Sequence, residues 1–132
     1  MSFLLDTDIC SAFFKKNAPV VLRVMLHYGG LHVSAVTVGE LMTWAMRATT
    51  SVSRLREIED FLGTVAVVDV DRTVAETFGQ IRAALLDRGR PIGVPDLFNA
   101  AVALVHNLTV VTHNVADYRD VPGLSVVDWM VP

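Results

Sequence analysis

One cysteine, two lysines and no long apolar run set the first limits on this chain. Cys10 stands alone, which excludes an internal disulfide and points to a buried thiol. The only lysines are Lys15 and Lys16, so the downstream lysine that a P-loop or a receiver domain needs is missing. The longest stretch without Asp, Glu, Lys or Arg, residues 97–116, is broken by Asn99, His106, Asn107, Thr109 and Thr112, and no membrane span is expected. No basic segment precedes an apolar one near the start, which argues against a secretory signal peptide and for the cytoplasm. The histidines, His27, His32, His106 and His113, show no paired spacing for zinc.

What is present is a packed globule. The 132 residues suit one domain over 1–132, and 52% apolar against 19% charged residues excludes disorder. A net charge of −3 speaks weakly against a nucleic-acid partner. Setting aside Asp6, Glu40, Asp96 and Asp117 leaves 11 basic against 10 acidic residues, a balance of +1. Arginine dominates the basic side, and Arg47, Arg54, Arg56, Arg72, Arg82, Arg88 and Arg90 would grip phosphates only if clustered.

Apolar runs alternate in length and period. Strands are expected at 3–5, 32–35, 65–68, 109–111 and 125–127, the β-branched segments bounded by turn residues. Between them fall helices: one through Ile9, Ala12 and Phe13; one from Pro19 with Val20, Val21, Val24, Met25 and Tyr28 inward; one carrying Leu41 and Trp44; one over 52–62; one through Val74, Phe78, Ile81 and Leu85; and a wide apolar one from Pro95. Thr37 with Glu40, and Thr73 with Glu76, have capping-box spacing. Strands alternating with helices imply an α/β fold with a mainly parallel five-stranded sheet flanked by helices.

Four acids end apolar runs: Asp6, Glu40, Asp96 and Asp117. In such a sheet the carboxyl ends of strands are where ligands collect, so these carboxylates can converge. Each also has a plain structural role. Asp8 can cap a helix, Glu40 can complete a capping box, Asp96 can sit in a first turn and Asp117 in an Asx-type turn. Asp6 fits a cap least well, and a carboxylate buried there needs a partner. An all-oxygen donor set suits Mg²⁺ or Mn²⁺.

These residues carry a resemblance. Leu-Leu-Asp-Thr-Asp-Ile at 4–9, Ser-Ala-Val-Thr-Val-Gly-Glu-Leu at 34–41, Gly-Val-Pro-Asp-Leu-Phe-Asn-Ala-Ala at 93–101 and Val-Thr-His-Asn-Val-Ala-Asp-Tyr at 111–118 follow one another as in the PIN-domain ribonucleases. Among these the chain resembles the VapC toxins of bacterial toxin–antitoxin pairs. The resemblance implies a three-layer PIN-like fold and an Mg²⁺- or Mn²⁺-dependent endoribonuclease that leaves a 5′-phosphate and a 3′-hydroxyl and stops translation or growth. It implies Asp6, Glu40 and Asp96 as core acids, either Asp117 or Asn114 as the fourth, and Thr112 as a hydroxyl near the metal. Asp8 stands where many relatives have Asn or Ser. It further implies a homodimer, silenced by a small VapB-type antitoxin; a soft surface at Met42, Trp44 and Met46 is one place for an apolar antitoxin segment. Two rivals remain at this level. Asp6-Thr7-Asp8 also resembles the Asp-x-Asp of haloacid-dehalogenase-type phosphatases, with Asp6 as nucleophile. A catalytically inert binding module is the other.

Overall fold

The computed structural model describes residues 1–132. The chain runs β1 (Phe3–Leu5), α1 (Thr7–Phe14), α2 (Ala18–Leu26), β2 (Leu31–Ser34), α3 (Ala35–Met46), α4 (Val52–Leu62), β3 (Ala66–Val68), α5 (Arg72–Asp87), α6 (Val94–His106), β4 (Thr109–Val111), α7 (Val115–Tyr118) and β5 (Val126–Val127). The strands lie in the order β3-β2-β1-β4-β5, and every pairing is parallel, where a mainly parallel sheet was expected.

The strand period of two divides the core between the two faces of the sheet. Phe3 and Leu5 of β1, with Val111 of β4, join Ile9, Val20, Val24, Leu41, Ile58 and Phe61 on one face, under α1 to α4. Leu4 and Val110 point the other way, to Leu85 of α5 and Ala100, Ala101 and Val102 of α6. A central strand buried on both faces has to be apolar throughout, which is why Phe3 to Leu5 shows no alternation in the sequence. Small residues along α6 let it lie close on the sheet, and its Phe98 stacks on Phe78 of α5 with ring centroids 4.1 Å apart.

Several expectations need correction. Met25 and Tyr28 are 60% and 56% exposed, because α2 covers the sheet only through Val20 and Val24. Neither capping box forms. Ser34 caps α3 by accepting from the Thr37 backbone N–H at 3.2 Å, three residues earlier than the Thr37–Glu40 pattern implies. Asp71 likewise caps α5 through the Val74 N–H at 2.9 Å, and Glu76 turns back to Arg72 at 3.3 Å. The short α7 has no counterpart among the expected elements. No helix is long and apolar enough to cross a membrane.

Candidate active site

The order β2-β1-β4 places β1 at the point where chain connections diverge; Asp6 follows its end, and Glu40, Asp96 and Asp117 come from α3, α6 and α7. Asp6 leaves β1 directly into α1 and is its N-cap, contrary to the expectation that it fits a cap least well. The cap is part of a larger cage. Oδ1 accepts from the Thr7 N–H at 2.9 Å and from Asn99 Nδ2 at 3.0 Å; Oδ2 accepts from Thr112 Oγ1 at 3.0 Å and Tyr118 OH at 2.9 Å. The parallel register Leu5↔Val111 is what sets Thr112 beside Asp6. A carboxylate 5% exposed thus fills all of its roughly four acceptor positions with neutral donors.

Asn99 and Tyr118 are the functional residues that sequence reasoning missed. Asn99 interrupts the apolar face of α6 and is 1% exposed; its Oδ1 accepts from Ser34 Oγ at 2.5 Å while its amide donates to Asp6. A polar residue at a buried helical position was the available signal. Tyr118 ends α7 with its ring in the core and its hydroxyl between two carboxylates, Asp6 Oδ2 at 2.9 Å and Asp96 Oδ1 at 3.3 Å. A phenol has one proton, and the shorter contact takes it. Burial and the neighbouring Asp6 and Asp96 charges drive the phenol far above its usual range, so it stays protonated.

The other acids surround this centre. Glu40, one turn into α3, accepts from Thr7 Oγ1 at 2.6 Å through Oε1, freed for this role because Ser34 does the capping. Asp96 lies in the first turn of α6, half-buried. Desolvation by burial, then the charge of Asp6 and those of Asp117 and Glu40, raises its pKa from 3.8 to about 6. The structure therefore brings Asp6, Glu40 and Asp117 within electrostatic reach of Asp96. None of them forms an ion pair with lysine or arginine.

Asp8 forms a separate wing. Its Oδ2 accepts from the His113 N–H at 2.9 Å and lies 3.4 Å from both Thr112 Oγ1 and Asn114 Nδ2. Its Oδ1 is buried without a hydrogen-bond partner. Burial, then the Asp6 charge, pushes its pKa up. His113 turns outward to Asp128 Oδ2 at 2.9 Å, and Asn114, whose side chain is exposed, faces Asp8, while the Asp117 charge bears on Asp96.

Oxygen donors with unbalanced charge fit a hard divalent cation, and the unpartnered Asp8 Oδ1 adds a polar atom in want of a partner. No three of these side chains stand as a closed ligand set. The phosphatase reading lacks the lysine such enzymes set beside their nucleophile: Lys15 lies over the Trp44 ring 5.8 Å from its centroid, and Lys16 borders an apolar groove.

A parallel five-stranded sheet with acids gathered around Asp96 and the end of β1 defines the class, and residues 3–124 match the family described as PIN domain. The chain belongs to the PIN-domain family, among its VapC ribonuclease toxins. It is 37% identical over 131 residues to the tRNA(fMet)-specific endonuclease VapC of Shigella flexneri, covering 98% of each chain. The protein of the same name from Salmonella typhimurium is 34% identical over 131 residues, again covering 98% of each. In structure the chain resembles DNA-bound VapBC from Salmonella typhimurium, with a TM-score of 0.91, 32% identity and 98% of each chain covered. It also resembles VapBC-1 from nontypeable Haemophilus influenzae, with a TM-score of 0.84 and 28% identity over 98% of each chain.

Proposed function

We propose that this chain hydrolyses RNA phosphodiester bonds internally with the help of Mg²⁺ or Mn²⁺, held by Asp6 and Asp96 with Glu40 and Asp117 beside them. The observation that carries this reading is the gathering of Asp6, Glu40 and Asp117 around half-buried Asp96 with no lysine or arginine paired to any of them. A bound divalent ion supplies the missing positive charge, polarises the phosphate and lowers the pKa of water. The protein's own groups orient that chemistry. Four donors fix Asp6; Thr7 holds Glu40 by one oxygen and leaves Oε2 without a protein partner; Asn99 and Thr112 hold the cage from behind. Asp8 ties down the turn over 112–114 that leads to Asp117.

The first substrate to test is initiator tRNA, the target named for the Shigella and Salmonella relatives. Purified protein with Mg²⁺ should cut it, EDTA should stop the cutting, and 5′-end mapping should find new ends after induction in cells. An Asp96→Asn variant that cut equally well would refute the site. Harmless overexpression with no new RNA ends would favour the inert binding module.

The partner we propose is a small antitoxin, in keeping with VapBC being the assembly named for the similar structures. The surface at Met42, Trp44 and Met46 suits it poorly. Met42 is half-buried against the core, and Trp44 lies under the Arg54 guanidinium, 4.7 Å from its ring centroid; only Met46 is well exposed. A groove of about 610 Å³ between α1, α2 and α4 is the better seat, lined by Phe13, Phe14, Val21, Leu22 and Met25 with Lys16 and Glu57 at its margin. A homodimer in the cytoplasm completes the proposal, and co-purification with the neighbouring antitoxin together with light scattering checks it.

A further inference from the structure

Asp6 holds the centre of the site, yet no acceptor position on it is free. Thr7 N–H and Asn99 Nδ2 fill Oδ1; Thr112 Oγ1 and Tyr118 OH fill Oδ2. A cation that takes Asp6 as a ligand must displace one of these donors. The Thr7 donor is backbone in a helix cap, and Asn99 is itself held by Ser34 in the core, so neither yields cheaply. Of the two hydroxyls, Tyr118 stands between Asp6 and Asp96, 2.9 Å from one carboxylate and 3.3 Å from the other. A cation held by both acids would have to contend with that hydroxyl.

We propose that the Tyr118 hydroxyl is a built-in competitor of the metal: while the cation is absent its O–H is donated to Asp6 with its oxygen 3.3 Å from Asp96, and it has to give up the Asp6 contact when the cation binds. The inference rests on the cation-binding reading above and goes beyond it, because it assigns to a non-ligand residue the control of affinity. The ring is anchored in the core at 1% exposure, so the hydroxyl is held at the carboxylates by packing. Two consequences follow from removing that one oxygen. The metal-free protein loses a donor to a buried carboxylate and becomes less stable. The cation meets an unoccupied position on Asp6 Oδ2 and binds more tightly.

The test is Mn²⁺ binding to metal-stripped protein by titration calorimetry and by the Mn²⁺ paramagnetic resonance signal, with thermal unfolding followed in parallel. Tyr118→Phe keeps the ring and deletes only the hydroxyl. A hydrogen bond to a charged group corresponds to about a tenfold change in a competing equilibrium. Tyr118→Phe should therefore bind Mn²⁺ about tenfold more tightly, melt at a lower temperature without metal, and gain more than the wild type from added Mn²⁺. Equal or weaker binding by a folded Tyr118→Phe overturns the competitor role and leaves the cation site intact. Absence of binding in both proteins, or binding unchanged by Asp96→Asn, overturns the cation site itself.

Discussion

Neutralising Asp96 separates what this protein does from what keeps it folded. In the metal-free protein Asp96 is raised from 3.8 to about 6, chiefly by burial and then by Asp6, which means that its ionised form destabilises the fold. A carboxyl raised on folding contributes stability that is complete below its unfolded value near 3.8 and is lost as pH rises through about 6. At face value the displacement corresponds to about 3 kcal/mol. Asp96 is half-buried, so water screens much of this, and about 1 kcal/mol is the realistic size. Asp96→Asn removes the charge and keeps the shape. Without metal at pH 7.5 it should unfold about 1 kcal/mol later than the wild type, a rise of about 3 °C in Tm for a chain of this length. Near pH 4.5, between the unfolded value of 3.8 and the folded value of about 6, the difference should shrink to about a third, and it should vanish only below about 3.8. Scanning calorimetry in EDTA across pH 4.5–8 measures the difference, and the same variant should fail to cut RNA. A difference that is flat with pH, or a variant less stable at pH 7.5, would refute the account of Asp96.

Three further outcomes can be checked. Asn99→Leu should destabilise the metal-free protein by about 2 kcal/mol in urea unfolding, since it strips a donor from buried Asp6 and leaves Ser34 without its acceptor. Leu22→Asp with Met25→Glu, at positions 58% and 60% exposed, should leave Tm within about 2 °C and abolish antitoxin co-purification. Cys10 is fully buried and its thiol is pushed far above the usual range by burial and the Asp6 charge, so a thiol reagent should react with it only after unfolding, as followed by absorbance.

Regular elements were readable because their signals are local. The segments Phe3–Leu5, Val52–Leu62 and Thr109–Val111 lie where β-branching, apolar period and flanking turn residues place them. Caps were not, since Ser34 and Thr37 offer the same chemistry three residues apart and only the path of β2 decides between them. The sequence of α7, Val115–Tyr118, is too short to carry a period and reads as a turn. At the site, acids following apolar runs were visible as such. Asn99 and Tyr118 were not, because a buried amide and a phenol acquire their meaning only from what α6 and α7 bring against Asp6.

The parallel sheet with β1 at its centre and β4 beside it also bears on the birth of the molecule. Asp6 is made almost first, but half of its donors, Thr112 and Tyr118, are made near the end, and Asn99 not long before them. A nascent chain still tethered to the ribosome at α5 has Asp6 and Glu40 but neither Asp96 nor the strand that closes the centre. The cage around Asp6 therefore cannot close until α6, β4 and α7 have all emerged, whatever folds before them.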